Sequence, residues 1–285
     1  MKKKILILGA TGMAGHMIYY YLLKNDKYHL STLVFQSILN KDSIVCDIRN
    51  PIQLSYAIKK INPDIIVNGI GELVQKSNID PDNAILLNSW LPHYLVKQCR
   101  LNKSKLIHIS SDCVFSGRTG SYSESDRSDA EDIYGRTKAL GEIQNNIDVT
   151  LRTSIIGPEL KSNGKGLFHW YMNQKGTIEG YNNSYWSGIT TYQLAKSIDD
   201  AIEHNLSGLY HVTNGIPISK YKLLLLINKS FSSKVEAIIP NNKIINNKSL
   251  QHSIKYNFNI PEYDIMINDL KCWFNNNQEL YRLYY

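Results

Sequence analysis

Tyr134 and Lys138 stand four residues apart in Tyr134-Gly135-Arg136-Thr137-Lys138. That segment reads as the start of a helix, so both side chains leave one face, a turn apart. A free tyrosine, with a pKa of about 10, is a poor acid or base near neutrality. A neighbouring ammonium stabilises the phenolate and is expected to lower that pKa toward the working range. In a chain with 19 tyrosines the pair alone carries little weight, so its surroundings decide. Upstream, Ser110-Ser111-Asp112 ends a strand, where doubly wound sheets put their reactive groups. Ser111 can donate a hydrogen bond to a substrate carbonyl oxygen, and Asp112 can bind a substrate hydroxyl. By themselves, serines at such a place would read as turn caps. At the N-terminal end, Gly9-Ala10-Thr11-Gly12-Met13-Ala14-Gly15 follows an apolar run and opens a helix. Glycines there let the backbone turn sharply toward a pyrophosphate, which the helix N-terminal amides then hold. Gly9, Thr11, Gly12, Met13 and Gly15 are accordingly assigned to a dinucleotide.

These groups need elements to position them. Apolar runs at 5–8, 30–35, 44–46, 65–68, 105–110 and 149–152 alternate with amphipathic stretches near 13–24, 51–61, 83–101 and 131–146. Such alternation predicts βαβ units and an α/β fold with a doubly wound parallel sheet, the Rossmann arrangement. Several strands are continuously apolar, as expected of a sheet covered on both faces. The other strand ends extend the cofactor site. Asp47, with Ile48 beside it, follows the third strand and is placed to accept from an adenine amino group. Capping the helix that Asn50-Pro51 begins is an equal alternative. Asn68, Gly69 and Gly71 end the fourth strand and are small enough for a cofactor to lie across them. The second strand ends in Phe35-Gln36-Ser37, with no carboxylate to repel a ribose 2′-phosphate and no nearby arginine to clamp one. That departure favours NADP slightly over NAD.

The second half is less regular, with helices near 191–204, 219–230 and 262–276 and a strand at 209–212. No linker separates two free domains. Residues 1–156 are expected to form the NAD(P)-binding domain. Residues 157–285 are expected to form mainly a smaller C-terminal substrate-binding lobe, with part of 187–215 packing back on the sheet. Lys165 could meet a diphosphate and Trp186 could stack on a nucleotide, while most neighbouring aromatics fill the lobe's core.

The formal charge is +7. It is scattered, with the densest cluster only Lys2 to Lys4, which fits a solvated surface or a basic cleft for small anions better than nucleic acid. Cys46, Cys99, Cys113 and Cys272 lack the spacing of a metal or redox motif, so reduced thiols, no metal and a cytoplasmic location are expected. No stretch approaches a membrane span. The basic start, with its short apolar run, reads as a buried first strand rather than a signal peptide.

The ordered set resembles the extended short-chain dehydrogenase/reductases. More narrowly, it is similar to the dTDP-4-dehydrorhamnose reductase-like branch, which acts on nucleotide-linked 4-keto-6-deoxy sugars. The likeness is carried by Gly9 to Gly15, Asp47-Ile48, Asn68 to Gly71, Ser110 to Gly117, Tyr134 to Lys138 with Gly141-Glu142, Arg152-Thr153-Ser154 and Ser187 to Thr191, and it spans about residues 1–215. It implies a catalytic trio of Ser111, Tyr134 and Lys138, with Asn88 anchoring a proton-relay water. It implies NAD(P)H-dependent reduction of a sugar keto group for surface polysaccharide. An epimerase, a bifunctional epimerase/reductase and a non-catalytic NADP-binding regulatory subunit are the alternatives. Ser111 stands where the branch usually has threonine and Cys113 where it usually has an aromatic; the latter puts the substrate in question more than the reaction. Oligomeric state is left open, a homodimer being compatible.

Overall fold

In the computed structural model, which describes residues 2–285, the apolar run after the N-terminal lysines is β1, Lys3–Leu8. Its alternation explains the layers. Ile5 and Ile7 face one hydrophobic cluster, and Leu6 and Leu8 face another on the opposite side, as the two-residue period of a strand requires. All four are fully buried.

The chain continues through α1 (Met13–Lys24), β2 (Tyr28–Val34), β3 (Ile44–Val45), α2 (Pro51–Ile61) and β4 (Ile65–Asn68). It then runs through α3 (Val74–Ile79), α4 (Pro81–Ala84), α5 (Leu91–Asn102), β5 (Lys105–Ile109), α6 (Ile133–Leu140) and β6 (Val149–Arg152). After an irregular excursion, α8 (Thr191–Glu203) and β11 (Gly208–His211) return to the sheet. Seven strands lie in the order β11-β6-β5-β4-β1-β2-β3, and every pairing is parallel. Met17, Ile18, Leu194 and Ile198 of α1 and α8 cover one face, and Leu54, Ile58, Leu95 and Cys99 of α2 and α5 the other. The strand order reverses between β1 and β4, and that switch point opens the crevice at their C-terminal ends.

Two predicted helices are interrupted. The stretch read as one helix over 83–101 is α4, a π-helical segment Ile85–Trp90, and α5. The π segment exposes Ile85 and buries Asn88 and Ser89, so its apolar residues do not report which face turns inward; such segments mark functional positions often enough to notice. The helix read over 131–146 stops at Leu140, where the Asn88 carbonyl packs onto Gly141 so closely that no side chain would fit.

The excursion between β6 and α8 holds β7 (Ile155–Ile156), α7 (Leu167–Met172), β8 (Lys175–Tyr181), β9 (Ser184–Trp186) and β10 (Ile189–Thr190). Beyond β11 follow β12 (Ile218–Ser219), α9 (Lys220–Ser230), β13 (Lys234–Asn241), β14 (Asn246–Asn247) and α10 (Tyr263–Asn276). They make small sheets outside the main one: β10 on β7, β13 on β8, and β9 between β12 and β14. Irregular patterning in the sequence reflects this patchwork of short pairings. Among the described residues no helix is long and apolar enough to cross a membrane.

Candidate active site

The turn after β1 is built by its glycines. Gly9 adopts a φ of +76°, which L side chains rarely reach, and its carbonyl accepts from the Gly12 amide at 2.9 Å. A Cβ on Gly15 would collide with the Gly9 carbonyl, so the helix can begin this close to the strand only with glycine there. Among the described residues no side chain caps the first turn of α1, and no acidic residue stands in it. Its amides, with Thr11, Gly12 and Met13 partly or fully exposed above them, face the crevice with the polarity an anion needs. Across the crevice, buried Asn68 turns its Oδ1 back to accept from the Ile70 amide at 3.1 Å, which shapes the Gly69 to Gly71 turn.

Lys138 lies below that turn. Its Nζ donates to the Ile109 carbonyl at 2.7 Å and sits 4.0 Å from where a Cβ of Gly71 would be. The residue is 4% exposed, and burial pulls its ammonium down to about 8, with Glu142 opposing. Asn88 is also buried, and its amide ties two loops together: Oδ1 accepts from the Glu72 amide at 2.8 Å and Nδ2 donates to Thr137 Oγ1 at 3.1 Å. Both polar atoms of Asn88 therefore already have protein partners, and its visible task is to fix Gly71 against α6.

Tyr134 stands in the first turn of α6, which Asp132 caps by accepting from the Gly135 amide at 2.8 Å. The residue is half-buried, but its phenol is enclosed, and burial pushes its pKa above the ordinary value. Cys113 pushes further in the same direction, while the Ser111 hydroxyl opposes. The expectation from spacing is a lowered phenol; the net direction is upward, with enclosure as its largest cause. Ser111 is buried at the end of β5, where its Oγ accepts from the Cys113 amide at 3.1 Å and donates to Asp112 Oδ1 at 3.3 Å. It is both the turn cap and the neighbour of the phenol. Ser110 points elsewhere, donating to Glu142 at 2.6 Å within the buried Glu142–Arg152 pair.

Beside these groups lies a cavity of about 280 Å³. Asp112 and Cys113 form one wall, and Trp186, Tyr185, Lys220 and Lys248 stand in others. Burial raises the Asp112 carboxyl, and Lys248 and then Lys220 draw it back, so the two ammoniums act on the reacting end of the cavity. Trp186 lines this cavity, buried with its ring tilted on Tyr263. Lys165 does not line it: it is exposed on the loop before α7, its amide bound to Glu159 at 2.9 Å. Loop residues carry no periodicity that fixes their direction, whereas Lys220 is set by the Ser219 cap at the start of α9.

At the adenosine end, Asn50 rather than Asp47 caps α2, accepting from the Ile52 and Gln53 amides at 3.1 Å. Asp47 instead pairs with Arg49, Oδ2 to Nη2 at 2.8 Å, which holds its carboxyl below the usual range. Ile48 is partly buried against α2 and its neighbours. Arg49 lies over the Phe35 ring, 4.7 Å from its centroid. An arginine does therefore stand at the tip of β2, brought there from β3 by strand pairing rather than by proximity in the chain.

A glycine turn at the switch point of a doubly wound sheet, followed at the next strand end by Ser111 beside the Tyr134 phenol and by Lys138 on the Ile109 carbonyl, is the arrangement of an extended short-chain dehydrogenase/reductase. The chain belongs to the family described as the RmlD substrate binding domain, whose family model matches residues 2–253. It is 27% identical to dTDP-4-dehydrorhamnose reductase of Salmonella typhimurium, over 74% of this chain and 72% of that protein. It is 24% identical to methionine adenosyltransferase 2 subunit beta of Rattus norvegicus, over 81% of this chain and 72% of that one. Its fold matches the crystal structure of dTDP-4-dehydrorhamnose reductase from Bacillus anthracis in complex with NADP, with a TM-score of 0.81 at 22% identity, covering 96% of this chain and all of that one.

Proposed function

We propose that this chain is an NADP(H)-dependent oxidoreductase that reduces the keto group of a nucleotide-linked 4-keto-6-deoxy sugar in deoxysugar biosynthesis. The observation that best supports the reading is Ser111 beside the enclosed Tyr134 phenol at the end of β5, with the Lys138 ammonium on the Ile109 carbonyl and a cavity with two lysines in its wall next to Asp112 and Cys113. The residues fit a dinucleotide: an uncapped, acid-free first helical turn and a glycine with no side chain over Lys138 leave room and polarity for one.

When bound, the reduced nicotinamide supplies hydride to the carbonyl carbon. Tyr134, kept protonated by its enclosure, gives its proton to the carbonyl oxygen, and the Ser111 hydroxyl stabilises the charge gathering there. The Lys138 ammonium, one turn along α6 and anchored on Ile109, opposes the charge left on the phenolate. Asp112 accepts from a sugar hydroxyl. Lys220 and Lys248 meet the substrate's phosphates, and Trp186 packs against its ring system. Gly9, Thr11, Gly12, Met13 and Gly15 take the pyrophosphate, and Asn68, Gly69 and Gly71 border the nicotinamide half. The four free cysteines suit a cytoplasmic setting. Every assigned residue comes from one chain, so a homodimer is a separate proposal that sedimentation would read.

The test is to supply dTDP-, UDP- and GDP-linked 4-keto-6-deoxy sugars with NADPH and follow both the coenzyme absorbance and the sugar product. Stoichiometric NADPH loss with appearance of a deoxysugar alcohol is expected for one of them. Stereochemical change without coenzyme loss would make the protein an epimerase. Tight NADPH binding with neither outcome would make it a cofactor-binding subunit.

A further inference from the structure

Arg49 has a role that the sugar chemistry does not use. Its Nε donates to Asp47 Oδ1 at 2.9 Å and its Nη2 to Asp47 Oδ2 at 2.8 Å, while its amide donates to the same Oδ1 at 3.0 Å. The guanidinium carbon lies over the exposed ring of Phe35, 4.7 Å from its centroid. The Cys46 amide donates to the Val34 carbonyl at 2.9 Å, which places the ends of β2 and β3 side by side and brings these three residues together. Asp47 occupies one edge of the fork only. Among the described residues, both N–H groups of Nη1 and one of Nη2 have no partner, and half of the Arg49 side chain is exposed.

In a doubly wound dinucleotide fold the tip of the second strand faces the adenosine ribose. Here Phe35, Gln36 and Ser37 bring no carboxylate to that place, so nothing on β2 itself repels an anion. A planar fork with a free edge is matched to a phosphate monoester, with two parallel N–H groups available. The ring below and the carboxylate beside it hold the side chain in one conformation, which reduces the entropy lost on binding. Asp47 also offsets part of the positive charge, so the preference should be moderate.

We infer that Arg49, laid on Phe35 and tethered by Asp47, reads the ribose 2′-phosphate of NADP and sets the preference for it over NAD. The inference rests on the crevice taking a dinucleotide, not on the sugar reaction. It is tested by equilibrium binding, by calorimetry or fluorescence, of NADPH against NADH and of adenosine 2′,5′-bisphosphate against 5′-AMP. The natural chain should prefer the 2′-phosphorylated member of each pair by about tenfold, a gap that narrows with added salt. Arg49→Gln should bring each pair within about twofold by weakening only the phosphorylated member, and Arg49→Lys should keep part of the gap. Equal weakening of both members would make Arg49 a brace for Asp47 and overturn the inference, as would no change at all. If both dinucleotides bind but ignore Arg49, only this inference falls; if neither binds, the cofactor reading falls with it.

Discussion

Burial acts in opposite directions on the two members of the Tyr134 and Lys138 pair. It raises the phenol, which keeps the proton that reduction must deliver, and it lowers the ammonium to about 8. The charged form of Lys138 therefore prevails below that pH and is lost above it. The rate of the reductive reaction should fall as pH rises through about 8, and Lys138→Arg, which stays charged, should lose that limb even if slower overall. The stability sign is the reverse. Because the folded pKa lies below the unfolded value of about 10.4, enclosing the ammonium costs stability at neutral pH, and that cost is relieved as pH rises from about 8 to about 10. Unfolding midpoints of the natural chain and Lys138→Met, compared across that window, should converge at its upper end. The residue types and their spacing were legible in the sequence. The direction of the phenol's shift was not, because spacing along a helix reports neighbours and not enclosure.

At the scale of elements, the site is a set of strand ends, and the period of the apolar runs is enough to find each of them. What period cannot report is contact between tips. Arg49 reaches Phe35 because β3 pairs with β2, and the π-helical turn that carries Asn88 is a matter of backbone hydrogen bonding that residue types do not encode. Gly15 belongs to this scale. A methyl group there meets the backbone carbonyl of Gly9, not a side chain that could swing away. Gly15→Ala should thus push α1 off β1, weaken NADPH binding by tenfold or more and cost about 1–3 kcal/mol in denaturant unfolding. An unchanged NADPH affinity would show that the turn tolerates displacement and does not set the pyrophosphate site.

Over the whole molecule, the main sheet supplies the reacting groups, while the chain beyond it supplies the cavity walls opposite Asp112. The later segments were hard to read because their strands are two to eight residues long and pair with distant partners: β9 with β12 and β14, β8 with β13. Lys220 and Lys248 come from that part, and the sequence offered exposed Lys165 in their stead because a loop lysine near aromatics looks the same on paper. This division predicts a kinetic split. Replacing both Lys220 and Lys248 by methionine should raise the KM for the nucleotide sugar at least tenfold and leave NADPH binding unchanged. A matching loss of NADPH affinity would mean that the cavity and the cofactor crevice are not separable.

The reducing step turns on one proton from one side chain, and Tyr134→Phe removes that proton while keeping the ring that fills the space. The direct measurement is single-turnover oxidation of NADPH by the natural chain and by this variant with the accepted keto sugar, alongside NADPH binding to both. We expect equal binding and hydride transfer slower by about 10²–10⁴-fold in the variant. Equal rates in the two proteins would contradict the assignment of Tyr134 as the proton donor.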